Sequence, residues 1–405
     1  MKIAFIIHSF PNISETFILN QITGLIDLGH QVKIFALYNK SKKIHRDVYM
    51  YNLLDNPLFY KIPNNRFCRG IRAFFLFFMY FYKSPFKIMS SLNFFKYGKN
   101  SLSLILFYLA GAFLKERFDI VHCHFGPMGI YGAYLKDLGL KGKLVTSFYG
   151  YDLSQFIQKH GDSVYNVLFE EGDLFLQLSN NFKDKLIKLG CNKEKIIVHR
   201  IGMDMEKFNY NTKNAGVDKK IKLLTIGRLA DKKGYKYIIK AIAKVIKKYS
   251  NIEYIIAGDG PLRAELETLV DNLGLGKHVI FMGLIKDDEA VKLYEKSHIF
   301  ILPSITAADG DMEGTPVVLM EAQACGLPVI STYHSGIPEV VEDGKSGFLV
   351  QEKDICAIAE KITYLIEHPD IWIEMGKAGR EHINKYYNIK VLNKSLVKIY
   401  ENCLK

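Results

Sequence analysis

Short apolar runs alternate with amphipathic stretches along nearly the whole chain. Residues 2 to 7 (KIAFII) form a run of strand length, residues 14 to 28 (SETFILNQITGLIDL) repeat apolar positions at helical spacing between Ser14 and Gly29, and residues 31 to 37 (QVKIFAL) are apolar again. This spacing predicts a β-α-β unit. The alternation resumes at Asp119 (DIVHCHF), followed by a helix near 128 to 138, strands at 143 to 148, 174 to 178 and 195 to 199, and a helix at 180 to 189. Residues 209 to 220 (NYNTKNAGVDKK) are polar and aperiodic, which predicts a linker. Strands then recur at 222 to 226, 253 to 257, 278 to 282, 299 to 302, 327 to 331 and 347 to 350, and the chain is mostly helical after 354. The pattern predicts an α/β protein with two Rossmann-like, doubly wound parallel domains, residues 1 to 208 and 221 to 385. Two such domains facing each other bring the C-terminal edges of both sheets to one central cleft, where open α/β sheets bind ligands.

Residues 56 to 115 break the alternation. They hold nine Lys or Arg and no Asp or Glu, and they are crowded with aromatics. The uncharged runs, Ala73 to Tyr82 and Asn100 to Leu114, are ten and fifteen residues long, short of the roughly 20 needed to cross a bilayer. Aromatic bulk beside Arg66, Arg69, Arg72, Lys83, Lys87, Lys96 and Lys99 predicts a segment lying on an anionic membrane surface. The plainer reading makes these core helices with solvated basic ends.

The net charge of +12 admits nucleic acid, an anionic membrane or an anionic small substrate as partner. Interleaving of the basic span with large apolar residues argues against nucleic acid. A non-catalytic basic protein that binds membrane or nucleic acid is the alternative to an enzyme. Six scattered cysteines lack zinc-site spacing, and the apolar run at the N-terminus is too short for a signal peptide, so a reducing cytoplasm is expected. The first turn, HSFPNISE, has no glycine, so the dinucleotide fingerprint of NAD enzymes is absent.

The candidate chemistry follows predicted strands. Glu313 and Glu321 flank Gly314, Thr315, Pro316 and the periodic run through Val318 and Leu319. Eight residues at helical pitch separate the two carboxylates by about 12 Å on roughly one side, so one ligand could touch both. After strand 222 to 226, Gly227, Arg228 and Lys233 lie in a loop that opens a helix, an arrangement suited to a diphosphate. In the first half, His122 and His124 share one face of a strand, and SFYGYD carries Tyr149 and Asp152. No third ligand joins the histidines. Asp309 and Asp311 form a D-x-D, as in some metal-dependent transferases, but in a loop already assigned to other work, so no metal site is predicted.

With G-R-L-x-x-K-K-G, the Glu313/Glu321 pair and GLPVISTYHSGIPEVV in view, the chain resembles the retaining family 4 glycosyltransferases of GT-B fold, most nearly those building capsular, colanic-type or lipopolysaccharide-type glycans. The first half matches more loosely, through SETFI, HCHFG, SFYGYD and IGMDMEKF. The resemblance implies that Arg228 and Lys233 hold the donor diphosphate, Glu321 the nucleotide ribose and Glu313 the sugar hydroxyls. Gly227, Gly314, Thr315, Pro316, Val318 and Leu319 complete the donor site. Ser14, Glu15, Thr16, His124, Tyr149 and Asp152 would form the acceptor side. It further implies a nucleotide-sugar donor, a lipid-linked or glycan acceptor, no metal or other cofactor, and a last helix (about 386 to 405) that returns to the first domain. Two positions depart from the family pattern. Tyr149 stands where many relatives have histidine, and Pro11, Asn12, Ile13 and Ser14 replace a glycine pair.

Overall fold

The computed structural model describes residues 1–12, 15–38, 44–54, 62–63, 65–113, 116–212 and 220–405. The first sheet consists of β1 (Lys2–Ser9), β2 (Gln31–Tyr38), β3 (Ile120–His124), β4 (Lys143–Ser147), β5 (Leu174–Gln177) and β6 (Ile196–Val198), in the order β2-β1-β3-β4-β5-β6. The second consists of β7 (Ile221–Ile226), β8 (Ile252–Ala257), β9 (Val279–Gly283), β10 (Ile299–Leu302), β11 (Val329–Thr332) and β12 (Gly347–Val350), in the order β12-β11-β10-β7-β8-β9. All strand pairs are parallel. Helices cover both faces, which is why the central strands read as continuous apolar runs; Ile3 to Ile7 and Ile299 to Leu302 are fully buried. The strand expected at 327 starts only at Val329. Pro328 has no N–H for the ladder and instead accepts from Phe300 N at 3.1 Å.

Two backbone segments run side by side between the sheets. Met203 N donates to Tyr387 O (2.8 Å) and Ile389 N to Met203 O (3.0 Å). The last helix, Ile389–Leu404, then lies on the first sheet, with Leu396 and Tyr400 buried in one cluster with Ile3, Phe5 and Ile120. Asn393 Nδ2 donates to Asn20 O at 3.1 Å, fixing this helix against Thr16–Asp27.

Within residues 56 to 115 the described part forms five short helices, Arg66–Phe81, Pro85–Ser91, Phe94–Tyr97, Lys99–Leu102 and Ile105–Phe113. The segment packs one face into the core and leaves aromatic rings exposed on the other. Tyr80, Ile88, Tyr97 and Leu106 to Leu109 are core residues, whereas Phe67, Phe74, Phe75, Phe78, Phe86 and Phe95 are 60 to 99% exposed. Several of the expected surface cations are engaged within the chain, Lys87 by donating to Gly139 O. Arg69 donates to Pro63 O and Ser103 O, both at 2.9 Å, and Lys96 pairs with Asp137 at 2.6 Å. Among the described residues no helix is long and apolar enough to cross a membrane.

Candidate functional site

The loop after β7 is shaped by its hydrogen bonds. Tyr235 hydroxyl donates to Gly227 O at 2.8 Å, and Arg228 is exposed at the strand end. Gly234 adopts a left-handed conformation (φ +72°), and a Cβ there would lie 2.1 Å from Pro303 O. Only glycine allows this close approach, which presses Lys233 against the loop following β10. Glu313 occupies that loop, just ahead of the helix Val317–Ala324.

Lys233 Nζ lies 3.2 Å from Glu313 Oε1 and Lys232 Nζ lies 3.7 Å away; Lys232 also pairs with Asp311 at 3.1 Å. Glu313 is only 9% exposed. Burial pushes its carboxyl up, but the Lys233 and Lys232 ammonium groups together outweigh burial and hold it below the usual carboxylate range. A second support comes from His334. Glu313 N donates to His334 Nε2 (3.2 Å), and His334 Nδ1 meets Glu352 Oε1 (2.5 Å). Glu352 Oε2 accepts from Thr306 N at 3.0 Å, so one carboxylate ties down both ends of the Glu313 loop. Neither His334 nor Glu352 stood out in the sequence.

Glu321 accepts from the Tyr294 hydroxyl at 2.8 Å. Burial raises its carboxyl to about 7, against the opposing effect of that hydrogen bond. It lines a cavity of about 520 Å³ together with Val318, Ile226 and Lys286, and with Thr16 and Phe17 from the first domain. Glu313, Arg228 and Lys233 lie outside this lining, so the two glutamates sit in different parts of the cleft. The Leu319 side chain is fully buried, which leaves only its backbone to face a ligand. Thr315 is nearly buried, and its Oγ1 has no hydrogen-bond partner among the described residues. Pro316 precedes the helix in an extended conformation.

On the first sheet, His124 Nδ1 meets the Tyr149 hydroxyl at 2.7 Å while its ring stacks on Phe5. Burial, with His199 adding to it, lowers His124 to about 3, so the ring is neutral. His122 bonds Ser147 Oγ (2.7 Å) and the Tyr400 hydroxyl (2.6 Å). Both histidines are fully buried. Asp152, also fully buried, accepts from Gly126 N (2.9 Å) and Tyr149 N (2.7 Å), so it holds the Tyr149 turn rather than facing a ligand. Burial raises it to about 7 even with these donors. Burial raises the Tyr149 phenol well above its ordinary value, and the nearby Asp152 and Glu15 carboxylates add to this. Ser14 falls outside the described residues.

Two glycines bring the halves together. A Cβ on Gly150 would lie 3.0 Å from Met312 O and 3.1 Å from Gly314 N, and one on Gly314 would meet Leu178 at 3.3 Å. The Tyr149 turn therefore rests directly on the Glu313 loop. Gln155 Nε2 donates to Asp309 Oδ2 at 2.7 Å across the same junction, and Arg200 pairs with Glu339 at 2.8 Å. Both aspartates of the D-x-D are thereby engaged, Asp309 by Gln155 and Asp311 by Lys232.

In sequence and in fold the chain is similar to known proteins. Residues 206–382 match the family "Glycosyl transferases group 1" and residues 14–207 match "Glycosyltransferase Family 4". The chain is 36% identical to WcaL of Escherichia coli (strain K12), a glycosyltransferase provisionally assigned to colanic acid biosynthesis, over 99% of this chain and 100% of the relative. It is 35% identical to the amylovoran biosynthesis glycosyltransferase AmsK of Erwinia amylovora, over 99% of each chain. Its fold is similar to that of Anabaena Alr3699/HepE in complex with UDP, with a TM-score of 0.75 at 18% identity, covering 99% of this chain and 100% of that one. The chain belongs to the family 4 glycosyltransferases of GT-B fold.

Proposed function

We propose that this glycosyltransferase moves a sugar, with retention of configuration and without a metal, from a nucleotide-diphosphate sugar to a lipid-linked glycan acceptor in cell-surface polysaccharide synthesis. The carrying observation is Glu313, a nearly buried carboxylate kept ionised by Lys233 and Lys232 where the two sheets meet. An ionised carboxylate there accepts hydrogen bonds from donor-sugar hydroxyls, and the adjacent cations face the diphosphate. The bond from the anomeric carbon to the diphosphate oxygen breaks while the acceptor oxygen bonds to that carbon on the same face. The acceptor proton passes to the departing phosphate, so no protein nucleophile is needed. Arg228 and Lys233 stabilise the charge that grows on the leaving group. Glu321 binds the ribose in its cavity, and Tyr149, oriented by His124, donates to a sugar hydroxyl. The names of WcaL and AmsK support a polysaccharide product, and the nucleotide in HepE supports a nucleotide-linked donor.

The acceptor would meet the enzyme at the inner face of the cell membrane, held there by the exposed phenylalanines and remaining cations of residues 56 to 115. A panel of UDP- and GDP-sugars, assayed for hydrolysis and transfer with excess EDTA, tests the reading. Turnover of one donor with a retained anomeric configuration and no response to EDTA is expected. Magnesium-reversible loss would overturn metal independence, and an inverted product would overturn retention.

A further inference from the structure

A recess of about 360 Å³ opens in the first domain, lined by Lys83, Lys87, Arg117 and Lys141 above an apolar floor that includes Phe113 and Leu138. Arg117 precedes β3 and Lys141 precedes β4, so the recess lies at the N-terminal ends of strands whose other ends carry His124 and Ser147. Five residues at about 3.3 Å each put it about 16 Å from the cleft edge of the sheet. It is therefore separate from the donor and acceptor positions.

The charge in this recess is unbalanced. Among the described residues its one acid, Glu116, is already engaged by Lys2 at 2.9 Å and by Lys33. Lys87 Nζ is held over the recess by donating to Gly139 O at 3.0 Å, which leaves its other two N–H groups for a ligand. Four cations around one small volume repel one another unless an anion joins them. Alongside in sequence, Tyr82 and Phe86 are 92% and 87% exposed next to Lys83 and Lys87. A cationic recess with an apolar floor, two of whose lysines are each next in sequence to a bare aromatic ring, is complementary to a phosphate that carries apolar chains.

We infer that the Lys83/Lys87/Arg117/Lys141 recess binds the phosphate headgroup of an anionic membrane phospholipid, whose acyl chains lie against Tyr82 and Phe86. This rests on the membrane-surface part of the proposed function and adds to it a discrete site with its own headgroup preference. Guanidinium and ammonium groups converging on phosphate oxygens make charge-assisted hydrogen bonds that a diffuse basic surface does not.

The test titrates the full-length protein with a short-chain phosphatidylglycerol kept below its micelle concentration, and separately sediments it with phosphatidylcholine vesicles with and without phosphatidylglycerol. Saturable binding of the soluble lipid is expected, at least ten-fold weaker in Arg117→Gln/Lys141→Gln. It should be unchanged in Arg66→Gln/Lys99→Gln, which removes the same charge from exposed positions outside the recess. Equal weakening in both double variants would overturn the site in favour of a general field. Inorganic phosphate that displaces the lipid at equal concentration would overturn the lipid assignment. Wild-type protein that binds vesicles but not the soluble lipid removes the recess alone, whereas binding neither removes the membrane reading too. Lys141→Gln alone, at an exposed position in the loop before β4, gives the same comparison if the double variant misfolds, and unchanged donor hydrolysis shows the cleft intact.

Discussion

Lys233→Ala removes an ammonium 3.2 Å from a carboxylate that is 9% exposed. At an effective dielectric of about 20, that separation corresponds to about 5 kcal/mol of attraction before desolvation is subtracted. Breaking a buried pair by removing one partner costs about 3 to 5 kcal/mol. Lys232 remains 3.7 Å from the same oxygen, so the expected loss of stability is nearer to 2 kcal/mol. Glu313→Gln should cost less, since Lys232 keeps Asp311 as a partner. The double variant should cost at least 1 kcal/mol less than the sum of the two, because each single change strands a charge that the double change does not. The pH dependence has a definite sign. Glu313 is held below its ordinary range, so its contribution is complete above the unfolded carboxyl value and is lost as pH falls through the lower folded value. Urea unfolding followed by circular dichroism at pH 7 and at stepped acidic pH measures both effects, with donor turnover recorded in parallel. Costs that add within about 0.5 kcal/mol, or a wild-type advantage that persists undiminished in acid, would refute the pairing.

Arg228→Ala should lower kcat by 10²- to 10³-fold, the effect of losing about 2.7 to 4 kcal/mol of electrostatic stabilisation, while leaving the melting curve unchanged because the side chain is exposed. Near-normal steady-state turnover would remove it from the site. Glu321 rises to about 7 in the folded chain, so its contribution is complete below the ordinary carboxyl value and is lost as pH rises through about 7. Glu321→Gln should flatten that slope by about 2 kcal/mol between pH 5 and 8, as measured by unfolding without ligand. His334→Ala should cut kcat about ten-fold by releasing Glu313 N, and His334→Asn, whose amide oxygen can still accept, should recover part of it. Equal activity of both variants would rule out the positioning role.

The parallel strands were legible because burial on both faces makes them apolar at every position, as at Ile3 to Ile7 and Ile299 to Leu302. The loop positions of Glu313, Arg228 and Lys233 were legible because they follow strand ends and precede helices. The pairing of Lys233 with Glu313 was not, since it joins residues 80 apart through the shape of Gly234. The His334–Glu352 support was equally hidden. A buried histidine gains a role only from its partners, and these lie 21 and 18 residues away in sequence. Asp152 carried the reverse problem, because a polar residue in a strand-end loop reads as ligand-facing until its burial is seen. In residues 56 to 115 hydrophobicity alone could not separate Tyr80, packed on Gly111, from Phe78 two residues before it, which is exposed.

The return of the last helix to the first sheet has a consequence for biosynthesis. Leu396 and Tyr400 complete a hydrophobic layer begun by Ile3 and Phe5, and Tyr400 bonds His122. On the ribosome, the opening half of the chain emerges with that layer uncovered and must wait through about 180 further residues for its lid. Domains usually fold as units in the order of synthesis, but here the first half to be made is the last to be finished. A stop codon a few turns early would therefore damage the half of the protein farthest from it in sequence.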